Sequence, residues 1–232
     1  MKLGIMQPYF MPYIGYFQLI ASVDQFIVYD NIKYTKKGWI NRNRMLLNGK
    51  DAMFSLPLKK GSDSLDVVER ELAADYDRAK LLNLFKGAYS HAPQFELTYP
   101  VLERIVQHEE INLFCYIHRS IVQLCDHLGI NTEIRISSET LIDHELKGQD
   151  KVLALCKAAG ADTYINTIGG VELYAKGDFR LQGIDLQFIK ARPFEYAQVG
   201  NAFVPWLSIV DVLMFNPLEV VRECIETNYE LI

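Results

Sequence analysis

Leu3-Gly4-Ile5-Met6-Gln7-Pro8 opens the chain as a short apolar run closed by a proline. Pro12-Tyr13-Ile14-Gly15-Tyr16-Phe17-Gln18-Leu19-Ile20 follows, and then Gln25-Phe26-Ile27-Val28-Tyr29. The first and third stretches read as buried strands, because short apolar runs bounded by breakers suit a sheet covered on both faces. The middle stretch reads as a helix, with Pro12 acceptable in a first turn. Two parallel strands joined by a helix place ligands at the carboxyl ends of the strands, here near Gln7 to Pro12 and near Asp30.

The rest of the chain extends this unit. Arg44 to Leu47 and Ala52 to Leu56 flank Asn48-Gly49-Lys50-Asp51, a hairpin signal. Gly61 to Ser64 reads as a loop and Leu65 to Leu72 as a further strand. Apolar residues at three- and four-residue spacing predict helices around 76 to 90, 96 to 108 and 112 to 128. Strands are expected at 131 to 136, 162 to 166 and 184 to 189, with helices at 149 to 159, 206 to 214 and 217 to 227. The expected architecture is α/β: one Rossmann-like domain over 1–232 with a largely parallel sheet, a hairpin appendage near 40 to 60 and a helical insertion near 75 to 128.

Composition bounds the function. The 232 residues are 50% apolar and 23% charged, which excludes a disordered, collagen-like or coiled-coil chain. A net charge of −5 argues against a nucleic-acid binder that relies on bulk positive charge. No apolar run reaches the roughly 20 residues of a membrane span, and the early Gln7-Pro8 is unlike a signal peptide. A cytoplasmic location is expected. The four cysteines lack a Cys-x-x-Cys pair and read as reduced core residues, and the five histidines show neither metal-ligand spacing nor a triad order.

Four stretches stand out as sites. Gln7, Tyr13, Gly15 and Tyr16 lie where a strand delivers the chain to a helix N-terminus, a setting suited to an anion, although a proline-rich turn packed by aromatics reads equally well. Lys33, Lys36, Lys37, Arg42 and Arg44 follow Asp30 without an intervening acid. Such cations clamp phosphates or carboxylates, with Asn41 and Arg42 holding an anionic group and Asp30 serving as base or anchor, unless the run is merely a solvated loop. Tyr164, Gly169, Gly170 and Tyr174 form a strand exit with a double glycine, which reads either as a substrate wall or as a structural turn. Ser208 with Asp211 reads first as a helix cap and second as a substrate contact.

At these residues the chain resembles the WbqC-like protein family. Gln7-Pro8, Pro12 to Tyr16, Asp24, Asp30, Asn41-Arg42, Ser137-Ser138, Tyr164 with Gly169-Gly170 and Tyr174, and Phe203-x-Pro205 leading to Leu207 through Asp211 carry the resemblance, nearly end to end. It implies a role in bacterial surface-polysaccharide (O-antigen) biosynthesis, as a transferase moving an acyl or aminoacyl group to a sugar or sugar nucleotide. Tyr13-Ile14-Gly15-Tyr16 is also distantly similar to the His-x-Gly-His motif of nucleotidylyltransferases and pantoate ligases, with both histidines replaced by tyrosine. That similarity implies the alternative of an ATP-dependent ligase adenylating a small carboxylate. A noncatalytic sugar-nucleotide-binding protein is the other alternative. The expected partner is a small molecule, a sugar nucleotide or nucleotide, with no nucleic acid and no membrane span. A homodimer is the default assembly. These residues specify neither donor, acceptor nor cofactor.

Overall fold

The first two expected strands are β1 (Lys2–Met6) and β2 (Gln25–Val28), joined by α1 (Ile14–Ala21). They pair in parallel, with Leu3 opposite Gln25 and Met6 opposite Val28. The structure is a computed structural model that describes residues 1–62, 64–200 and 202–232, so Asp63 of the expected loop lies outside the described residues.

After β2 the chain leaves the sheet. It builds an antiparallel hairpin of β3 (Arg42–Leu47) and β4 (Lys50–Ser55). Asn48 and Gly49 at the turn both hold positive φ, the conformation a two-residue hairpin loop demands. Three helices follow: α2 (Arg78–Tyr89), α3 (Phe95–Val106) and α4 (Leu113–Leu128). Asp77 caps α2 by accepting from the Lys80 amide at 2.9 Å, and Asn112 caps α4 by accepting from Cys115 at 3.0 Å.

The chain returns to the sheet as β5 (Glu133–Ile136), then α5 (Gly148–Ala159), β6 (Thr163–Thr167), α6 (Lys176–Leu181) and β7 (Asp185–Ala191). It closes with α7 (Ile209–Phe215), α8 (Leu218–Thr227) and a short β8 (Tyr229–Leu231). The six strands run in the order β5-β2-β1-β6-β7-β8, parallel except for β8. From β1 the first half of the chain winds outward through β2 to β5, and the second half winds the other way through β6 and β7. The reversal between β1 and β6 is a topological switch point, where open α/β sheets form their ligand crevice.

Two buried clusters sandwich this sheet. The larger includes Phe17, Phe26, Phe85, Leu102, Ile117 and Met214, and unites α1, the hairpin and the helices after it. The smaller packs Val152, Leu155 and Cys156 of α5 with Phe179 of α6 against Leu3, Ile5 and Leu186.

Several expectations need correction. Residues 65 to 72 form no strand but a 3-10 turn at Val67–Glu69 with isolated bridges at Asp66, Glu71 and Leu72. Here Arg70 is buried over the Tyr34 ring, and its guanidinium donates to the Ser62 carbonyl, so the segment follows a side-chain anchor rather than a ladder. Helix α6 and strand β8 were not expected, being too short for periodicity to detect. Cysteines 125, 156 and 224 are buried, as read from the sequence, whereas Cys115 is exposed.

Candidate functional site

A cavity of about 860 Å³ opens at the switch point. Gln7 and Tyr9 reach it from the end of β1, Tyr29 and Asn31 from the end of β2, and Asn166 and Thr167 from the end of β6. Its far wall is the start of α5, through Lys147, Gly148 and Lys151.

Each wall has a physical support. Asn166 is buried; its Nδ2 donates to the Tyr164 hydroxyl at 2.8 Å, and its Oδ1 accepts from the Thr167 amide at 2.6 Å. A Cβ on Gly170 would lie 3.1 Å from the Asn166 amide, so the second glycine makes room for that side chain. Tyr164 itself is fully buried and stacks on Phe179, while Tyr174 meets it edge-on and lines the cavity. Burial raises the hydroxyl pKa of Tyr164, Tyr174 and Tyr29, so all three phenols are neutral donors.

A clasp holds the wall between β2 and α5. Asp30 is buried, and its Oδ1 accepts from Ser137 Oγ at 2.6 Å and from the Ser138 amide at 2.9 Å. Ser137 Oγ also lies 2.8 Å from Asn31 Oδ1. The Asn31 amide reaches His144 Nδ1 at 2.9 Å, and His144 Nε2 lies 3.0 Å from the Thr140 carbonyl. Both ring nitrogens of His144 are thereby engaged, and the loop that carries Glu145 and Lys147 to the cavity is tied to the end of β2. Ser137→Ala is expected to cost about 1–3 kcal/mol, because a buried carboxylate loses its hydroxyl donor. Urea unfolding measures this, and a change below about 0.5 kcal/mol would show that the clasp does not support the wall.

The cavity is electrostatically mixed, with three lysines beside two carboxylates. Lys33, Lys147 and Lys151 line it beside Asp66 and Glu145, and none of the three forms an ion pair among the described residues. Lys151 is only 7% exposed, with Nζ 3.4 Å from the Asn31 carbonyl and 5.6 Å from the centre of the Tyr29 ring. Burial lowers its pKa, against the opposing pull of Asp66 and Asp30. The Asp66 carboxyl is raised, first by burial and then by Glu69. Lys147 provides no side-chain cap to α5, so the first amides of that helix open where Gly148 meets the cavity.

The residues singled out from the sequence are distributed unevenly around this site. Gln7, Gly169, Gly170 and Tyr174 line the cavity, while Asp30 and Tyr164 stand behind its walls. Tyr16 is buried in the core, where its hydroxyl donates to the Gln7 carbonyl at 2.9 Å. Gly15 is buried under Tyr13, whose ring a Cβ would strike. Asn41 is buried between the Tyr34 hydroxyl and the Leu56 carbonyl, and Arg42 donates from Nε to the Gly38 carbonyl. Neither Asn41, Arg42 nor Lys36 lines the cavity; of the cationic run after Asp30, Lys33 does. Sequence reasoning missed Lys151, Lys147, Asn166 and Asp66, whose only signal was their position at expected strand and helix ends.

Tyr13 faces a second, smaller cavity of about 240 Å³, together with Phe194, Tyr196, Phe203 and Trp206. Ser208 and Asp211 support it from below. Ser208 caps α7 by accepting from Val210 and donates to the Met11 carbonyl at 2.6 Å. Asp211 is fully buried and accepts from Tyr89 at 2.9 Å, Tyr196 at 2.7 Å and Gln198 at 2.8 Å.

Among the described residues no His, Cys, Asp or Glu cluster is placed to hold a metal ion, and no helix is long and apolar enough to cross a membrane. In comparisons with known proteins, the WbqC-like protein family matches residues 7–223. A Mycobacterium tuberculosis protein described as "Uncharacterized protein Rv1507c" is 30% identical over 220 residues, which cover 93% of each chain. No solved structure matches. A family match spanning both the crevice and the second cavity agrees with the motifs read from the residues, and the chain belongs to the WbqC-like protein family.

Proposed function

We propose that the crevice binds the phosphates of a sugar nucleotide and that the protein transfers an acyl or aminoacyl group to the sugar during surface-polysaccharide biosynthesis. One observation supports this most: three lysines without ion-pair partners among the described residues and an uncapped helix start converge on the larger of the two cavities, at the switch point of the sheet. Helix amides and cations together form a binding site for phosphate oxygens. A volume of about 860 Å³ is ample for a nucleotide-sized ligand. In this reading Lys33, Lys147 and Lys151 hold the phosphates, Asn166 and Thr167 orient the sugar, and Asp66 accepts the proton released by the attacking group.

Calorimetric titration with pyrophosphate and with a uridine diphosphate sugar tests the binding half. Both are expected to bind, more weakly as salt rises, and the double substitution Lys33→Gln with Lys147→Gln is expected to weaken them at least tenfold. Absence of binding at millimolar ligand and low salt overturns the reading. Mass spectrometry of the sugar nucleotide after incubation with an acyl thioester tests transfer. Tight binding with no mass change across a panel of donors would favour the noncatalytic alternative.

A further inference from the structure

The smaller cavity carries an inference of its own, independent of the reading above. Its floor and sides are aromatic and aliphatic, from Tyr13, Phe194, Tyr196, Phe203, Trp206 and Leu207. Arg192 and Glu195 also line it, and both are exposed, which puts them at its rim. Neither side chain makes an ion pair or hydrogen bond among the described residues, although the two charges are opposite and three residues apart. The Tyr13 hydroxyl likewise has no hydrogen-bond partner among the described residues, and its ring meets Trp206 at 6.1 Å, edge-on.

The wall of this cavity is held by its own hydrogen bonds. That wall, residues 192 to 208, has neither helix nor strand among the described residues, yet it is fastened from beneath. Asp211 holds Tyr196 and Gln198, and Gln198 in turn exchanges hydrogen bonds with both the amide and the carbonyl of Val204. Trp206 holds φ near +60°, a left-handed conformation that non-glycine residues avoid, while Arg44 Nη2 donates to its carbonyl at 3.0 Å. The indole stays 59% exposed at the cavity edge. The backbone at Trp206 is thus held in a costly conformation while its ring stays open at the cavity.

Size and charge define the ligand. An apolar cavity of about 150 Å³ already holds a benzene ring, and drug-sized ligands need about 300 Å³ or more. A space of about 240 Å³ with an aromatic and aliphatic lining therefore suits a small apolar group. We infer that this cavity binds a free α-amino acid with an apolar side chain, the side chain among the aromatic rings, the carboxylate at Arg192 and the ammonium at Glu195. Arg suits a planar carboxylate because its guanidinium donates two parallel hydrogen bonds.

Trp206 supplies the readout. The chain has two tryptophans, so in the Trp39→Phe protein Trp206 is the sole indole fluorophore. Titration with L-leucine is expected to shift its emission saturably. Isoamylamine, which lacks the carboxylate, and 4-methylpentanoate, which lacks the ammonium, are each expected to bind at least tenfold more weakly. Arg192→Gln should erase the advantage of leucine over isoamylamine, and Glu195→Gln its advantage over 4-methylpentanoate. Lys151→Met, in the larger cavity, should leave the leucine response intact, which separates failure here from failure of the phosphate site. Equal binding of all three compounds, no response to any of them, or a stronger response to glucose than to leucine each overturns the assignment.

Discussion

Asp211→Leu is expected to destabilise the protein by about 3–5 kcal/mol, because a buried acceptor shared by three donors is lost. The carboxylate is fully buried, and three donors point at it, from Tyr89, Tyr196 and Gln198. Removing the acceptor strands them together, and each unsatisfied buried donor costs about 1–3 kcal/mol before partial relaxation. The network also crosses the fold: Tyr89 belongs to α2 and its oxygen accepts from the Leu46 amide of β3, while Gln198 closes the irregular segment before α7. Loss of Asp211 therefore loosens a helix, the hairpin and the smaller cavity at once. Tyr196→Phe, which removes one donor and leaves the acceptor satisfied by the other two, should cost only about 1 kcal/mol. A Leu variant within about 1 kcal/mol of the parent in urea unfolding would show that the cluster is not the fastener described.

The pH dependence of the same residue has a definite sign. Burial raises the Asp211 carboxyl above its ordinary range, against the lowering pull of its three donors. A folded-state pKa above the unfolded one means that the native state holds the proton longer. Stability from this group is then complete below the unfolded value, near 4, and declines as pH rises toward the folded value. Asp211→Asn cannot titrate, so the stability difference between parent and Asn variant should be largest at low pH, narrow through that window and then level off. A difference that widens with rising pH would contradict the assignment.

How much of this was legible in the chain differs between scaffold and site. The strand, helix, strand opening was readable because its apolar runs are short, proline-bounded and buried, so local pattern and tertiary role coincide. The hairpin was readable from Asn48-Gly49 for the same reason. The site was less so. The cationic run after Asp30 looked like one clamp, yet Lys33 lines the cavity while the chain leaves the sheet and carries Arg42 and Arg44 away on one face of β3, with Asn43 and Met45 buried on the other. Asn41 looked like a residue that holds an anionic group and is instead a buried link to Tyr34 and Leu56. Lys151 falls inside the helix expected over 149 to 159 and carries no further local signal. Only the pairing of β2 with β5 and of β1 with β6 brings it beneath Asn31, 120 positions away. Register of that kind is a property of the assembled sheet, which no local window contains.

Lys151→Met is expected to strengthen the fold while weakening phosphate binding by at least tenfold. The lysine is 7% exposed, and among the described residues its ammonium has one hydrogen-bond acceptor for three protons, the Asn31 carbonyl at 3.4 Å, beside the face of the Tyr29 ring. Such a group is poorly solvated, and burial is the leading cause of its lowered pKa. Methionine fills similar space beside Tyr29 and Val152 without a charge to desolvate, so the variant should gain stability, by about 1 kcal/mol. The sign with pH is opposite to that of Asp211. A lysine whose folded pKa lies below its unfolded value near 10.4 makes the parent more stable as pH rises through that interval, and the Met variant should lack this rise. Binding behaves in the reverse sense, because a phosphate supplies acceptors beyond the Asn31 carbonyl and a charge-assisted hydrogen bond is lost with the amine. A protein that becomes more stable and loses pyrophosphate affinity marks Lys151 as a residue kept for its ligand. A variant that is less stable and binds pyrophosphate unchanged would make the lysine a structural prop and move the phosphate site elsewhere.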